Sequence, residues 1–77
     1  DTRWIETGSE HVLGYVRSGQ IVVLANFSEY QQVLPPYAIM PHLRSDRALD
    51  LIREQTVTLN GGVRLEPYQF MWLRPEV

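Results

Sequence analysis

Two stretches set the hydrophobic pattern of the chain. The run Ile21-Val22-Val23-Leu24-Ala25-Asn26-Phe27 is apolar at nearly every position and gives way abruptly to polar residues, which predicts a strand buried on both faces. The second stretch, Pro67-Tyr68-Gln69-Phe70-Met71-Trp72-Leu73, alternates: Tyr68, Phe70 and Trp72 fall on one face and Gln69, Met71 and Leu73 on the other. Proline at 67 breaks a ladder, so the final strand is expected over Tyr68–Leu73.

Around these two runs the pattern predicts further short strands. Val12 to Arg17 reads as a strand, Ser18-Gly19 as a two-residue turn and Gln20 to Phe27 as the returning strand of a hairpin. Upstream, Trp4-Ile5-Glu6 suits a short edge strand, and Thr7-Gly8-Ser9-Glu10 has turn composition. Gln31-Gln32-Val33-Leu34 has strand character until Pro35-Pro36, which lack the amide hydrogens a ladder needs. Tyr37 to Ala48 shows no clear period, and Pro41 with the Arg44-Ser45-Asp46-Arg47 cluster predicts a surface loop. Leu49-Asp50-Leu51-Ile52 fits a short strand better than a helical turn capped by Ser45. Thr56-Val57-Thr58-Leu59, Asn60-Gly61-Gly62 and Val63-Arg64-Leu65 together predict a second hairpin. Six to eight short strands and no convincing amphipathic helix point to an all-β domain, a small antiparallel sandwich with Greek-key-type connections.

Composition narrows this picture. A chain of 77 residues makes one domain at most, here taken as 1–77, and 44% hydrophobic content is enough for a folded core. A core of this size supplies roughly 3–5 kcal/mol, so a face needing cover by a neighbour is expected. There is no cysteine, hence neither disulfide nor thiolate chemistry, and a bacterial cytoplasmic setting fits. The net charge of −2 is spread over nine acids and seven arginines without a run of either sign, which argues against nucleic acid and anionic membrane as partners. No stretch is long and apolar enough for a membrane span, and no signal segment opens the chain. A start at Asp1 rather than methionine suggests a fragment or a processed product.

Candidate chemistry is sparse. The aromatic face Tyr68, Phe70 and Trp72 offers a sugar-stacking platform, although core or interface packing accounts for it more simply. Trp4, beside charged residues near the amino end, suits either sugar stacking or docking against another domain. His11 and His42 lie far apart with no ligand spacing around them, so no metal site is expected and solvated histidines are. Asp46 with Asp50, or Glu54 with Glu66, are the carboxylates available for acid/base work on a glycosidic bond, but a solvated state is expected for each. Asn26-Phe27-Ser28 matches the N-glycosylation pattern; in the absence of a signal segment, both polar residues are expected to end the strand through hydrogen bonds to backbone. Ser9, Ser18, Ser28 and Ser45 lack a nucleophile elbow, and Gly61-Gly62 belongs to a turn rather than a phosphate cradle. No catalytic residue and no cofactor site emerges.

Val12-Leu13-Gly14-Tyr15-Val16-Arg17, Leu24-Ala25-Asn26-Phe27-Ser28-Glu29-Tyr30-Gln31, Asp50-Leu51-Ile52, Thr56-Val57-Thr58-Leu59 and Pro67-Tyr68-Gln69-Phe70-Met71-Trp72-Leu73 occur in an order that resembles the C-terminal domain (domain C) of α-amylase-family enzymes, glycoside hydrolase family 13. Within that family the likeness is to the amylosucrases. The loop Gln32–Asp46 follows no pattern shared with them. The resemblance implies an eight-stranded antiparallel sandwich that follows a (β/α)8 barrel. In such relatives the barrel supplies an aspartate that forms a glucosyl-enzyme and a glutamate that acts as acid/base; none of the matching positions here carries those roles. The implied function is a non-catalytic domain that caps the barrel of its own chain, with Trp4 and the terminal strand as contacts. An independent α-glucan-binding module is the alternative.

Overall fold

The computed structural model describes residues 2–18 and 20–76. Its elements in order are β1 (Thr2–Trp4), β2 (Val12–Arg17), β3 (Ile21–Asn26), β4 (Gln32–Leu34), α1 (Pro36–Leu43), β5 (Arg47–Asp50), β6 (Gln55–Thr58), β7 (Val63–Leu65) and β8 (Phe70–Pro75). Six strands form one antiparallel sheet in the order β1-β2-β3-β8-β5-β6, and β4 pairs with β7 in a second, two-stranded sheet. The result is the small, mostly β sandwich that the strand pattern implied, with one helix added.

The core lies between the inner face of the large sheet and a cover made by the small sheet and α1. Val12, Val16, Val22, Leu24, Ala48, Met71 and Leu73 enter it from the large sheet, and Leu34, Val63, Leu65, Ala38, Ile39 and Leu43 enter it from the cover. Period-two alternation selects these residues, since in β2 and β8 every second position is buried and its neighbour is exposed or partly so. Gly14 sits on the inner face opposite Leu24, where a Cβ would stand 2.9 Å from the Thr7 methyl and 3.0 Å from Leu24 Cδ2. Glycine is the residue that lets these two side chains approach the strand.

Strand β3 is buried on both faces, as its sequence predicts, but two different causes act. Val22, Leu24 and Asn26 point into the core. Val23 and Ala25 point the other way, to a face that no further layer of the described residues covers. They are shielded from the side, Val23 between Tyr15 and Trp72, and Ala25 between Leu13 and Phe70. Directly paired residues have Cβ atoms about 4.5–5.5 Å apart, so large neighbours overhang small ones.

The structure corrects the sequence reading in several places. Tyr37–Ala48 is not a surface loop: Pro36–Leu43 is a helix, and β5 starts at Arg47. Pro36 occupies the first helical position, where its fixed φ helps and its missing amide hydrogen costs nothing. Pro41 lies inside the helix and deprives the Tyr37 carbonyl of a partner, at a cost of about 3 kcal/mol. Burial of Ile39 and Leu43, at about 1.5–3 kcal/mol each, offsets that loss. The helix ends at Arg44, whose left-handed φ of 54° aims its N–H at the Met40 carbonyl, 2.7 Å away.

A second correction concerns the hairpin expected across Asn60-Gly61-Gly62. The turn exists, with Gly62 at φ 94° and its N–H donating to the Leu59 carbonyl, but β6 and β7 belong to different sheets. Fully buried Leu59 is the reason. It anchors the turn in the core, and the chain leaves the large sheet there to cross to the small one.

Element ends move by smaller amounts. The edge strand is Thr2–Trp4 rather than Trp4–Glu6. In the first hairpin Arg17 pairs with Ile21 and the Gln20 N–H donates to the Arg17 carbonyl, so Gln20 belongs to the connection; Gly19 of the expected turn lies outside the described residues. β5 stops at Asp50 because its Oδ1 accepts the Ile52 N–H and its carbonyl accepts the Glu54 N–H, which turns the chain. Tyr68, with φ 58°, sits in a turn closed by the Gln69 N–H on the Glu66 carbonyl, so the last strand begins at Phe70. Among the described residues no helix is long and apolar enough to cross a membrane.

Candidate functional site

The outer face of the large sheet carries three of the exposed aromatic side chains, Trp4, Phe70 and Trp72. Register alone assembles it. Trp4 pairs with Tyr15, Tyr15 with Val23, and Val23 with Trp72, giving one row across β1, β2, β3 and β8. The Trp4 and Tyr15 rings meet edge to face, with centroids 5.6 Å apart and an interplanar angle of 71°. A neighbouring row holds Leu13, Ala25 and Phe70. Trp4 is 68% exposed, Phe70 54%, Leu13 42% and Trp72 38%, so the face is open.

This overturns a core role for Phe70 and Trp72. The core takes Met71 and Leu73 from the same strand instead: alternation only separates the two sets, and the pairing of Leu73 with Val22 and of Met71 with Leu24 decides which one faces inward. Of the four residues singled out in the sequence, Trp4, Phe70 and Trp72 share the outer face. Tyr68 is also exposed, but it sits in the turn before β8, outside the ladder, with its N–H bonded to the Ser28 carbonyl. Tyr15 and Leu13 were not anticipated. Setting Val12–Arg17 against Ile21–Asn26 in register is the signal that places them beside Val23 and Ala25.

A third row borders the aromatic face with charge. Arg17 pairs with Ile21, and Leu49 pairs with both Arg74 and Thr56. Alternation in β2 and β8 puts Arg17 and Arg74 on the outer face. Next to Arg74 lies an open concavity of about 630 Å3 lined by Gln20, Leu49, Arg74, Pro75 and Glu76. Its one acid is already engaged: Glu76 pairs with Arg47 at 3.4 Å and accepts the Thr56 hydroxyl at 2.6 Å. That is the only ion pair among the described residues, so the Arg74 guanidinium has no carboxylate partner among them.

At the opposite end of the sheet the strand-ending role expected of Asn26 and Ser28 is realised. Asn26 is fully buried, and its Nδ2 donates to the Tyr30 carbonyl at 2.8 Å and the Glu66 carbonyl at 3.0 Å. Its Oδ1 accepts the Ser28 N–H and the Ser28 hydroxyl, both at 2.9 Å. With the carboxamide enclosed and bonded at both atoms, the folded chain offers no acceptor nitrogen for glycosylation. The same node fixes the two loops that carry exposed Phe27, Tyr30 and Tyr68.

The remaining candidates stay apart. His11 and His42 are exposed, one in the turn before β2 and the other in the last turn of α1. Asp46, Glu54 and Glu66 are exposed as expected. Asp50 is not, being 1% exposed; its Oδ2 has no partner among the described residues, and its Oδ1 closes the turn after β5. It is enclosed and spent on structure, which removes it from any acid/base pair reaching a substrate. Among the described residues no group of three or more histidines and carboxylates is placed to hold a metal ion. The arrangement is a flat apolar face with an arginine border, suited to docking or stacking.

A family model described as "Amylosucrase, C-terminal domain" matches residues 3–74 of the 77. The chain belongs to this family.

Proposed function

We propose that this amylosucrase C-terminal domain is a non-catalytic module that packs on and stabilises the (β/α)8 catalytic barrel of its parent chain. The parent is an α-glucan-synthesising or α-glucan-hydrolysing enzyme, with its glycosyl chemistry in the barrel and its setting the bacterial cytoplasm. The observation that carries this reading is the outer face of the large sheet. Trp4, Leu13, Phe70 and Trp72, with Phe27 and Tyr68 in the adjoining loops, are 38–68% exposed. At about 200 Å2 per large side chain they leave on the order of 600 Å2 of apolar surface in water. Solitary proteins keep their largest such patch to about 300–600 Å2, and one side of a standard interface covers about 800 Å2. For a domain of only 77 residues the patch stands at the top of the solitary range, which supports cover by a neighbouring domain.

The test compares the parent enzyme with and without residues 1–77, following soluble yield and thermal unfolding. Loss of soluble enzyme or earlier unfolding of the barrel is the expected result; an unchanged barrel would sink the proposal. The openness of Trp4 favours a second reading, an α-glucan-binding module that stacks sugar rings on the exposed aromatics. Titration with maltooligosaccharides followed by tryptophan emission separates the two, because saturable shifts arise only from binding.

A further inference from the structure

We infer that the catalytic domain of the same chain presents a carboxylate beside its apolar contact patch, and that this carboxylate enters the concavity at Arg74 and sets the orientation in which the two domains dock. The inference rests on the proposed packing function and adds the chemistry of the partner surface.

Three observations carry it. First, the concavity adjoins the aromatic face, and Leu49 and Pro75 give it an apolar wall against which the stem of an inserted aspartate or glutamate can lie. Second, its charges are unequally used. Glu76 is engaged by Arg47 and Thr56, while Arg74 forms no ion pair among the described residues, so the site's unused capacity is a guanidinium. A guanidinium offers a planar fork that matches a carboxylate in two parallel hydrogen bonds, which is recognition with direction as well as strength. Third, Arg17 stands in the same outer-face row, two places across the sheet from Arg74. Arg17 and Arg74 thus place two cations along one border of the apolar face.

That placement is what fixes orientation. An aromatic patch alone would accept a partner in more than one rotation about the sheet normal, since apolar burial has no direction. Arginines along a single border break this degeneracy, because only one rotation brings them to a complementary acid, and like charges brought together are penalised. The net charge of −2 cannot do this, since it repels an acidic partner overall; the attraction must be local to Arg17 and Arg74.

The absence of lysine from the chain makes the test clean. In the full-length parent, Arg74→Lys creates a single amine in this domain, and a water-soluble carbodiimide then joins that amine to any carboxylate in contact with it. Peptide mass spectrometry is expected to find position 74 linked to an aspartate or glutamate of the catalytic domain. Arg64→Lys, on β7 at the far side of the sandwich, is the control and is expected to give no such link. In parallel, the double variant Arg17→Glu/Arg74→Glu is expected to raise the rate of proteolytic release of the domain about tenfold at low salt, with the difference shrinking in 0.5 M salt. The inference is overturned if position 74 links only to Glu76 or to nothing, if position 64 links to the catalytic domain as readily, or if the double variant releases like wild type. Should deletion of residues 1–77 nevertheless destabilise the barrel, the packing function survives and only the carboxylate contact is lost. If deletion changes nothing, both fall.

Discussion

Asn26→Ala removes the node that ties the end of β3 to two loops. In the folded chain the carboxamide donates to the Tyr30 and Glu66 carbonyls and accepts from the Ser28 N–H and hydroxyl, all within 2.8–3.0 Å, and the residue is fully buried. Alanine deletes these four bonds and a longer one, 3.4 Å, from Nδ2 to the Leu65 carbonyl. Tyr30 and Ser28 are open enough for water to replace part of the loss, so the full desolvation penalty does not fall on every partner. At about 1 kcal/mol for each of three or four bonds, less what water returns, the expected loss is about 2–4 kcal/mol. A domain of this size has roughly 3–5 kcal/mol in total, so the variant should keep only about 1 kcal/mol at 25 °C, with roughly one chain in six unfolded. Urea titration of the 77-residue chain, followed in parallel by tryptophan emission and far-ultraviolet circular dichroism, reads this directly. With a slope near 1 kcal/mol per molar urea, the midpoint falls by about 2–4 M. Ser28→Ala loses only the hydroxyl and should cost about 0.5–1.5 kcal/mol. Asn26→Asp keeps the acceptor but turns both donations into oxygen facing oxygen, so it should be no better than alanine. A loss below about 1 kcal/mol for Asn26→Ala would refute the assignment of this network as the clamp on the loops.

Two further substitutions probe the core side of the large sheet. Gly14→Ala places a Cβ 2.9 Å from the Thr7 methyl, and Thr7 cannot swing aside freely because its hydroxyl lies 3.0 Å from both the Ser9 and Val12 carbonyls. The expected cost is about 1–3 kcal/mol in urea unfolding. Thr7→Ser, which deletes that methyl, should recover part of it in a double-mutant cycle, and strictly additive losses would count against the contact. Asp50→Asn keeps the Oδ1 acceptor for the Ile52 N–H and removes a buried anionic oxygen that has no partner among the described residues, so the midpoint should hold or rise. Asp50→Ala forfeits the turn bond and should lose about 1 kcal/mol; the opposite ranking would show that Oδ2 is satisfied.

How much of this the sequence disclosed depends on the range of the interaction involved. Val12–Arg17 is a strand at those same residues, and Asn26 with Ser28 ends β3 as local hydrogen-bonding chemistry requires, because both outcomes are decided within a few residues. The helix Pro36–Leu43 was hidden because Pro41 argues against helix locally, and the compensation comes from packing Ile39 and Leu43 into a core built from distant strands. The apparent hairpin over Thr56–Leu65 has ideal turn chemistry, yet its strands separate because buried Leu59 and the pairing of β7 with β4 outweigh a short-range preference. In the closing strand, alternation divides Phe70 and Trp72 from Met71 and Leu73 correctly but cannot say which set faces inward. Either is apolar enough for a core.

That last ambiguity bears on function. Trp4 and Trp72 lie at opposite ends of the chain, and only the register β1-β2-β3-β8 brings them into one row, so no motif could have displayed the face. Its signature was nevertheless present in β3. A central antiparallel strand with one wet face should alternate, whereas Val22-Val23-Leu24-Ala25 does not. In the isolated fold the outward Val23 and Ala25 are kept from water only by neighbours that are themselves exposed or, like Tyr15, partly so. Continuous apolar sequence in such a strand is the mark of a middle layer, with the small sheet and α1 on one side. The proposed docking supplies the other side from the barrel, and the arginines that interrupt the apolar face at Arg17 and Arg74 then stand at its border, where a charge can still reach water or an acid.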